Sequence, residues 1–260
     1  MALGLIQGLT EFLPVSSSGH LVIFERLFGV EAHTLAFEVL VHIGTLIAVL
    51  IFFRVRLSAI VGSFLRSPFK VSGDGENVRY TRLGWFLILG TVPAAIVGLA
   101  FKDYIELAFA SPRWSAGMLL ATAAILIPTK WAKEEDGELN LIRTIIVGLA
   151  QAVAIMPGIS RSGSTISAGM FSGISKSEAA EFSFLLSIPA ILGAAVLETP
   201  EFIADLSNKQ LGINYLVGAI IAAVVGYLSI AFLMKVIRKG KFFYFGLYCA
   251  AAGLLGIIFL

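Results

Sequence analysis

Cysteine is almost absent from this 260-residue sequence: Cys249 stands alone, so no intrachain disulfide can form. Charge is scarce too. Asp, Glu, Lys and Arg make up 14% of the chain, where a soluble domain carries about a quarter. A net charge of +2 with no long basic run excludes nucleic acid as a partner. Histidine occurs three times. No Lys or Arg precedes Arg26, and Glu11 and Pro14 interrupt the first apolar run, which argues against a signal peptide. What remains is apolar: 58% hydrophobic residues and a mean hydropathy of +0.91. Long apolar runs recur along the whole length, so the sequence reads as an all-α, polytopic integral membrane protein in contact with the lipid bilayer.

Six segments are long and apolar enough to span: 35–53, 83–101, 113–129, 176–196, 212–234 and 242–260. Each approaches the roughly 20 residues that a bilayer demands. Two further apolar stretches are broken in the middle, 2–28 at residues 13–19 and 141–171 at residues 156–163. A half-helix of nine residues rises about 14 Å, half of a hydrocarbon core. That length predicts re-entrant hairpins: a half-helix in, a tight loop, a half-helix out.

Positive charge orients the scheme. The loop 54–82 carries Arg54, Arg56, Arg66, Lys70, Arg79 and Arg82. Loops expected on the same side carry Lys130, Lys133 and Arg143, then Lys235, Arg238, Lys239 and Lys241; the other side has Arg26, Lys102, Arg113 and Lys209. The positive-inside rule makes the first group cytoplasmic and puts both termini outside. The hairpins then enter from opposite faces, as in an inverted repeat. The sequence carries its trace: GLIQGLTEFLPVSSSGH aligns without a gap on GLAQAVAIMPGISRSGS, with Gln7 on Gln151, Ser16 on Ser160, Ser18 on Ser162 and Gly19 on Gly163. The expectation is one membrane domain, 1–260, with halves of about 1–131 and 141–260.

Non-helical backbone at membrane depth is tolerated only inside protein or beside a water-filled cavity, so both breaks belong in the interior. Their meeting would gather Ser16, Ser17, Ser18 and His20 with Ser160, Arg161, Ser162 and Ser164. Each loop opens a half-helix whose N-terminal N–H groups favour an anion. Gly19, Gly158 and Gly163 permit close backbone approach. Arg161 adds a permanent cation whose fork matches phosphate, and an arginine inside a broken apolar segment is functional by default. The serines alone also suit a small-residue packing seam. Gln7 and Glu11 share a helix face, as do Glu38 and His42, each pair four residues apart. The aromatics read as lipid-facing or core, and the charges from Lys133 to Asp136 as a solvated loop.

Two functions suit such an anion site. One is phosphoryl transfer from a lipid diphosphate: Ser17 attacks phosphorus with His20 as general acid/base, or His20 attacks directly, while Arg161 and loop amides stabilise the charge. The other is a secondary transporter or flippase for an anionic lipid or small anion, for which broken helices in inverted repeats are the usual architecture.

At these residues the sequence resembles a known family. QGLTEFLPVSSSGH, followed much later by PGISRSGST, looks like the undecaprenyl-diphosphate phosphatases, the bacitracin-resistance membrane family. The similarity runs from Leu3 to the last apolar segment. It implies hydrolysis of the terminal phosphate of a C55 isoprenoid diphosphate, giving the monophosphate that carries cell-wall precursors. It also implies bacitracin resistance, a site open to the outer face of the cytoplasmic membrane, a divalent cation (Mg²⁺ or Ca²⁺) and a homodimer. Carried over by motif position, the catalytic set is Glu11, Ser17, His20 and Arg161. Ser16, Ser18, Gly19, Ser160, Ser162 and Gly163 would bind the diphosphate. Glu11 and Gln7 would hold the metal, with Gln7 standing where many members have glutamate. Ser17 is the preferred nucleophile with His20 as its partner, and His20 is the alternative nucleophile.

Overall fold

The computed structural model describes residues 1–28, 35–133, 135, 137–197 and 212–260. Lys209, counted above in the charge balance, lies outside them, as do Glu134 and Asp136 of the expected solvated loop. Among the described residues the chain is helical, with one isolated bridge between Gly137 and Ile174. The helices are α1 Ala2–Thr10, α2 Ser17–Phe28, α3 Leu35–Phe52, α4 Arg54–Arg66, α5 Glu76–Ala100, α6 Lys102–Phe109, α7 Pro112–Leu126, α8 Leu141–Val153, α9 Arg161–Phe171, α10 Lys176–Leu197, α11 Gly212–Arg238 and α12 Tyr244–Phe259. A 3₁₀ turn, Ile127–Trp131, prolongs α7.

Among the described residues three helices are long and apolar enough to cross a membrane: Glu76–Ala100, Lys176–Leu197 and Ile213–Arg238. The number rises to five when α3 with α4, bent by 83°, and α6 with α7 and its 3₁₀ turn, bent by 102°, each count as one span. The four helices beside the breaks, α1, α2, α8 and α9, have 9, 12, 13 and 11 residues. At 1.5 Å per residue none crosses a ~30 Å core alone.

The segment 54–82, expected as a loop, holds α4 and the first turns of α5. Its arginines mask an amphipathic pattern. Ile60 and Ser63 are buried while Arg54, Val55 and Arg66 face outward, which suits a helix lying in the interface rather than crossing it. Phe64 of α4 lies over Gly84 of α5, and Arg56 of α4 pairs with Glu181 of α10 at 2.7 Å.

The two broken stretches pack into the opposite halves of the chain: α1 lies on α11, and α8 lies on α5. Both contacts run backbone on backbone through paired glycines. A Cβ on Gly4 would stand 2.5 Å from the Gly218 carbonyl oxygen, and one on Gly148 would stand 2.7 Å from that of Gly90. Small residues let helices approach this closely where lipid supplies no hydrophobic drive between them. Gly4→Ala and Gly148→Ala should therefore each lower stability by ~1–3 kcal/mol through overpacking. Gly62→Ala, with no atom within 4 Å of the added Cβ, should not. Thermal unfolding in detergent separates the three.

The buried core wraps the breaks. Phe12 is fully buried and meets Phe184 edge to face at 5.7 Å; Phe184 in turn lies 6.0 Å from Phe53. Leu126, Ile166, Leu185, Leu186, Ile230 and Leu233 fill the surrounding space.

Candidate active site

The two breaks share a serine cap, because the same S-x-S-G sequence starts both return helices, although the capping residues differ in backbone: φ is +68° at Ser16 and −72° at Ser160. Ser16 caps α2: its Oγ accepts from the Gly19 N–H at 3.3 Å and lies 3.3 Å from Ser18 Oγ. Ser160 caps α9: its Oγ accepts from the Gly163 N–H at 3.0 Å and lies 3.3 Å from Ser162 Oγ. A serine hydroxyl satisfies one of the orphan first-turn donors and leaves the other N–H groups of that turn for an anion. Ser16, Ser18, Ser160 and Ser162 thus shape the turns.

Each turn is held by a neighbouring helix. Thr122 of α7 donates to the Gly158 carbonyl at 2.8 Å and accepts from the Ser160 N–H at 2.9 Å. Cys249 of α12 donates to the Pro14 carbonyl at 3.6 Å. The turns also touch one another. Ser162 Oγ donates to the Leu13 carbonyl at 3.3 Å, and a Cβ on Gly19 would lie 2.9 Å from Gly158 Cα. Gly158 takes a positive φ of 93° against the Ser115 carbonyl, a conformation and a clearance that favour glycine.

Between the turns lies a polar cluster centred on Glu11. Arg161 Nη2 donates to Glu11 Oε1 at 2.5 Å. Ser17 Oγ donates to Glu11 Oε2 at 2.6 Å, and Gln7 Nε2 donates to the same oxygen at 3.0 Å. The carboxylate is shielded, its side chain 7% exposed against 17% for Arg161. A charge pair this buried persists only when its remaining atoms find partners. Two atoms have no protein partner, Arg161 Nη1 and Gln7 Oε1. A buried guanidinium N–H is a donor suited to a phosphoryl oxygen.

The structure thus gathers Gln7, Glu11, Ser17 and Arg161. It does not join Ser17 to His20. His20 turns the other way: its Nδ1 meets the Ser16 carbonyl at 2.9 Å, and its Nε2 meets Tyr248 Oη at 2.7 Å. Another imidazole approaches Glu11 instead. His42 Nε2 lies 3.8 Å from Glu11 Oε2, and its Nδ1 bonds the Glu38 carbonyl at 2.7 Å. The Glu38/His42 spacing is visible in the sequence. Tyr248, one aromatic among many in an apolar helix, gives no such signal.

Comparison with known proteins decides the family. The model of the bacitracin resistance protein BacA family matches residues 1–255. The chain belongs to this family. A curated relative from Elusimicrobium minutum, named undecaprenyl-diphosphatase, is 43% identical over 257 residues, covering 98% of this chain and 95% of the relative. Relatives of the same name from Korarchaeum cryptofilum (42% over 255 residues; 98% and 95% covered) and Carboxydothermus hydrogenoformans (43% over 258 residues; 95% and 91% covered) are equally similar. The family resemblance drawn from QGLTEFLPVSSSGH and PGISRSGST is borne out, and the chain is a multi-pass membrane protein of the BacA family.

Proposed function

We propose that this protein hydrolyses undecaprenyl diphosphate to the monophosphate and inorganic phosphate, a reaction that supplies carrier lipid for cell-wall polymers and underlies bacitracin resistance. The names of the relatives support the substrate. Neither they nor the family support a transporter. The single observation that carries the mechanism is the 2.6 Å hydrogen bond from Ser17 to a carboxylate that is itself paired with Arg161.

In this mechanism Ser17 Oγ attacks the terminal phosphorus. Its proton passes to Glu11 Oε2, the new P–O bond forms, and the bridging P–O bond breaks to release the lipid monophosphate. Water then cleaves the phosphoserine, with Glu11 again exchanging the proton. Arg161 Nη1 and the free first-turn N–H groups of α2 and α9 take the phosphoryl oxygens, where developing charge is stabilised by donors already in place. Ser18 and Ser162 contribute through that backbone, while the Gly19 and Gly163 N–H groups are held by the Ser16 and Ser160 hydroxyls and shape the turns.

Among the described residues no three His, Cys, Asp or Glu side chains cluster to hold a metal ion. Both Glu11 oxygens are engaged, which leaves Gln7 Oε1 as a buried oxygen without a protein partner. Hard cations take six or more oxygens. Gln7 Oε1, beside Glu11, would be the protein's contact to a Mg²⁺ or Ca²⁺ ion brought with the diphosphate. When bound, it would neutralise diphosphate charge.

The architecture we propose around this site has six spans and two re-entrant hairpins, α1–α2 and α8–α9, in inverted halves of about 1–131 and 141–260. The matched caps of Ser16 and Ser160 and the matched glycine contacts Gly4–Gly218 and Gly148–Gly90 support it. The arginines and lysines of 54–82 and 235–241 favour the cytoplasmic side for those segments. Both termini then lie outside the cytoplasmic membrane, and the family resemblance adds a site open to the outer face and a homodimer.

Purified protein in detergent should release phosphate from undecaprenyl diphosphate with Mg²⁺ or Ca²⁺, and chelation should slow it. No release under either ion, with lipid transfer in liposomes instead, would establish the transporter.

A further inference from the structure

We infer that Tyr248 is a positioning residue for the phosphatase, acting through His20 to hold the backbone that presents Ser17; the inference rests on the hydrolase mechanism above.

Ser16 has a φ of +68°, the one non-glycine residue with positive φ among those described. A non-glycine residue in this region stores strain and persists only when its surroundings hold it. The holding group is His20. The Ser16 carbonyl accepts from the His20 N–H at 3.1 Å and faces His20 Nδ1 at 2.9 Å. That carbonyl belongs to the peptide that carries the Ser17 nitrogen, so its direction sets where Ser17 Oγ points.

The hydrogen-bond inventory places a proton on Nδ1. A carbonyl oxygen only accepts, so Nδ1 carries the proton, and in the neutral ring Nε2 accepts from the Tyr248 hydroxyl at 2.7 Å. The ring stacks on Tyr248 at 5.6 Å and 12°, and His20 is 4% exposed. Both nitrogens are thereby committed. A nucleophile or general base requires a free lone pair aimed at the reacting atom, and Ser17 instead bonds Glu11. Cys249, next along α12, holds the Pro14 carbonyl of the same turn. Helix α12 thus grips the first turn at two carbonyls, directly through Cys249 and through His20 from Tyr248.

The test uses steady-state phosphate release from undecaprenyl diphosphate, with thermal unfolding in detergent alongside. Tyr248→Phe keeps the stacked ring and removes the hydroxyl. It should lower kcat about tenfold, because small misplacement of a reacting group is costly. KM and the unfolding temperature should stay near wild type. His20→Asn retains an N–H near the Nδ1 position and should recover much of the activity lost in His20→Ala. A Tyr248→Phe enzyme with wild-type kcat would overturn the inference, as would a change confined to KM. So would a His20→Asn enzyme as inactive as His20→Ala, the result expected of a chemical histidine. In each of these cases active wild type leaves the phosphatase function standing. Inactive wild type would instead remove that function, and the inference with it.

Discussion

Replacing Ser17 with alanine is expected to reduce phosphate release by at least ~10³-fold, because it removes the atom that forms the bond to phosphorus. The Michaelis constant should change little. Arg161 Nη1 and the first-turn amides of α2 and α9, which would bind the diphosphate, remain in place. Folding should be nearly unaffected, since Ser17 is half-buried and its one hydrogen bond goes to Glu11. Ser18→Ala and Ser16→Ala form the contrast. The Ser16 hydroxyl caps α2, and losing a cap costs ~0.5–2 kcal/mol of stability with no chemical step removed. A Ser17→Ala enzyme that still turned over at a tenth of the wild-type rate would exclude a serine nucleophile.

The second large effect is expected at Glu11. Glu11→Gln keeps the size and one oxygen but removes the proton acceptor beside Ser17. General-base catalysis contributes about 10²–10⁴-fold, so kcat should fall by that order. Stability should fall too. Arg161 would lose its charged partner in a site where both side chains are largely shielded, and an uncompensated buried charge costs ~3–5 kcal/mol. Arg161→Gln in the same background should restore part of the stability while leaving catalysis low. The two substitutions are therefore non-additive in unfolding, as expected for residues in contact. Kinetics and unfolding together distinguish an acid/base role for Glu11 from a purely structural ion pair, which would move stability alone.

Some of this was legible in the sequence for identifiable reasons. Pro14 and Gly158 interrupt two apolar runs, and the non-helical segments 11–16 and 154–160 surround them. These segments start two residues before the expected 13–19 and 156–163 and end sooner, because the serines that follow already belong to α2 and α9. The breaks between α1 and α2 and between α8 and α9 fall there. Helix α11 starts at Gly212 and α10 at Lys176, where the expected spans begin. Helix α4 was hidden by its arginines, which hydropathy counts as loop. At the site, Gln7 and Glu11 announce themselves by their four-residue spacing, and Arg161 by its charge in an apolar setting. The contacts of His20 do not. His20 comes nine positions after Glu11 in the chain, but beyond the left-handed turn at Ser16 the imidazole faces α12 and Ser17 faces Glu11. Which side chain meets the carboxylate depends on how the turn before α2 is set, and neither composition nor periodicity encodes that. The separation of 228 positions between His20 and Tyr248 removes any local signal of that pairing.

The most direct measurement is the location of the transferred phosphoryl group. Purified protein mixed with undecaprenyl diphosphate, quenched within the first turnover under conditions that preserve both phosphoserine and phosphohistidine, and mapped by mass spectrometry should carry phosphate on Ser17. Phosphate on His20 would contradict the serine mechanism and the positioning role of the Tyr248–His20 pair together.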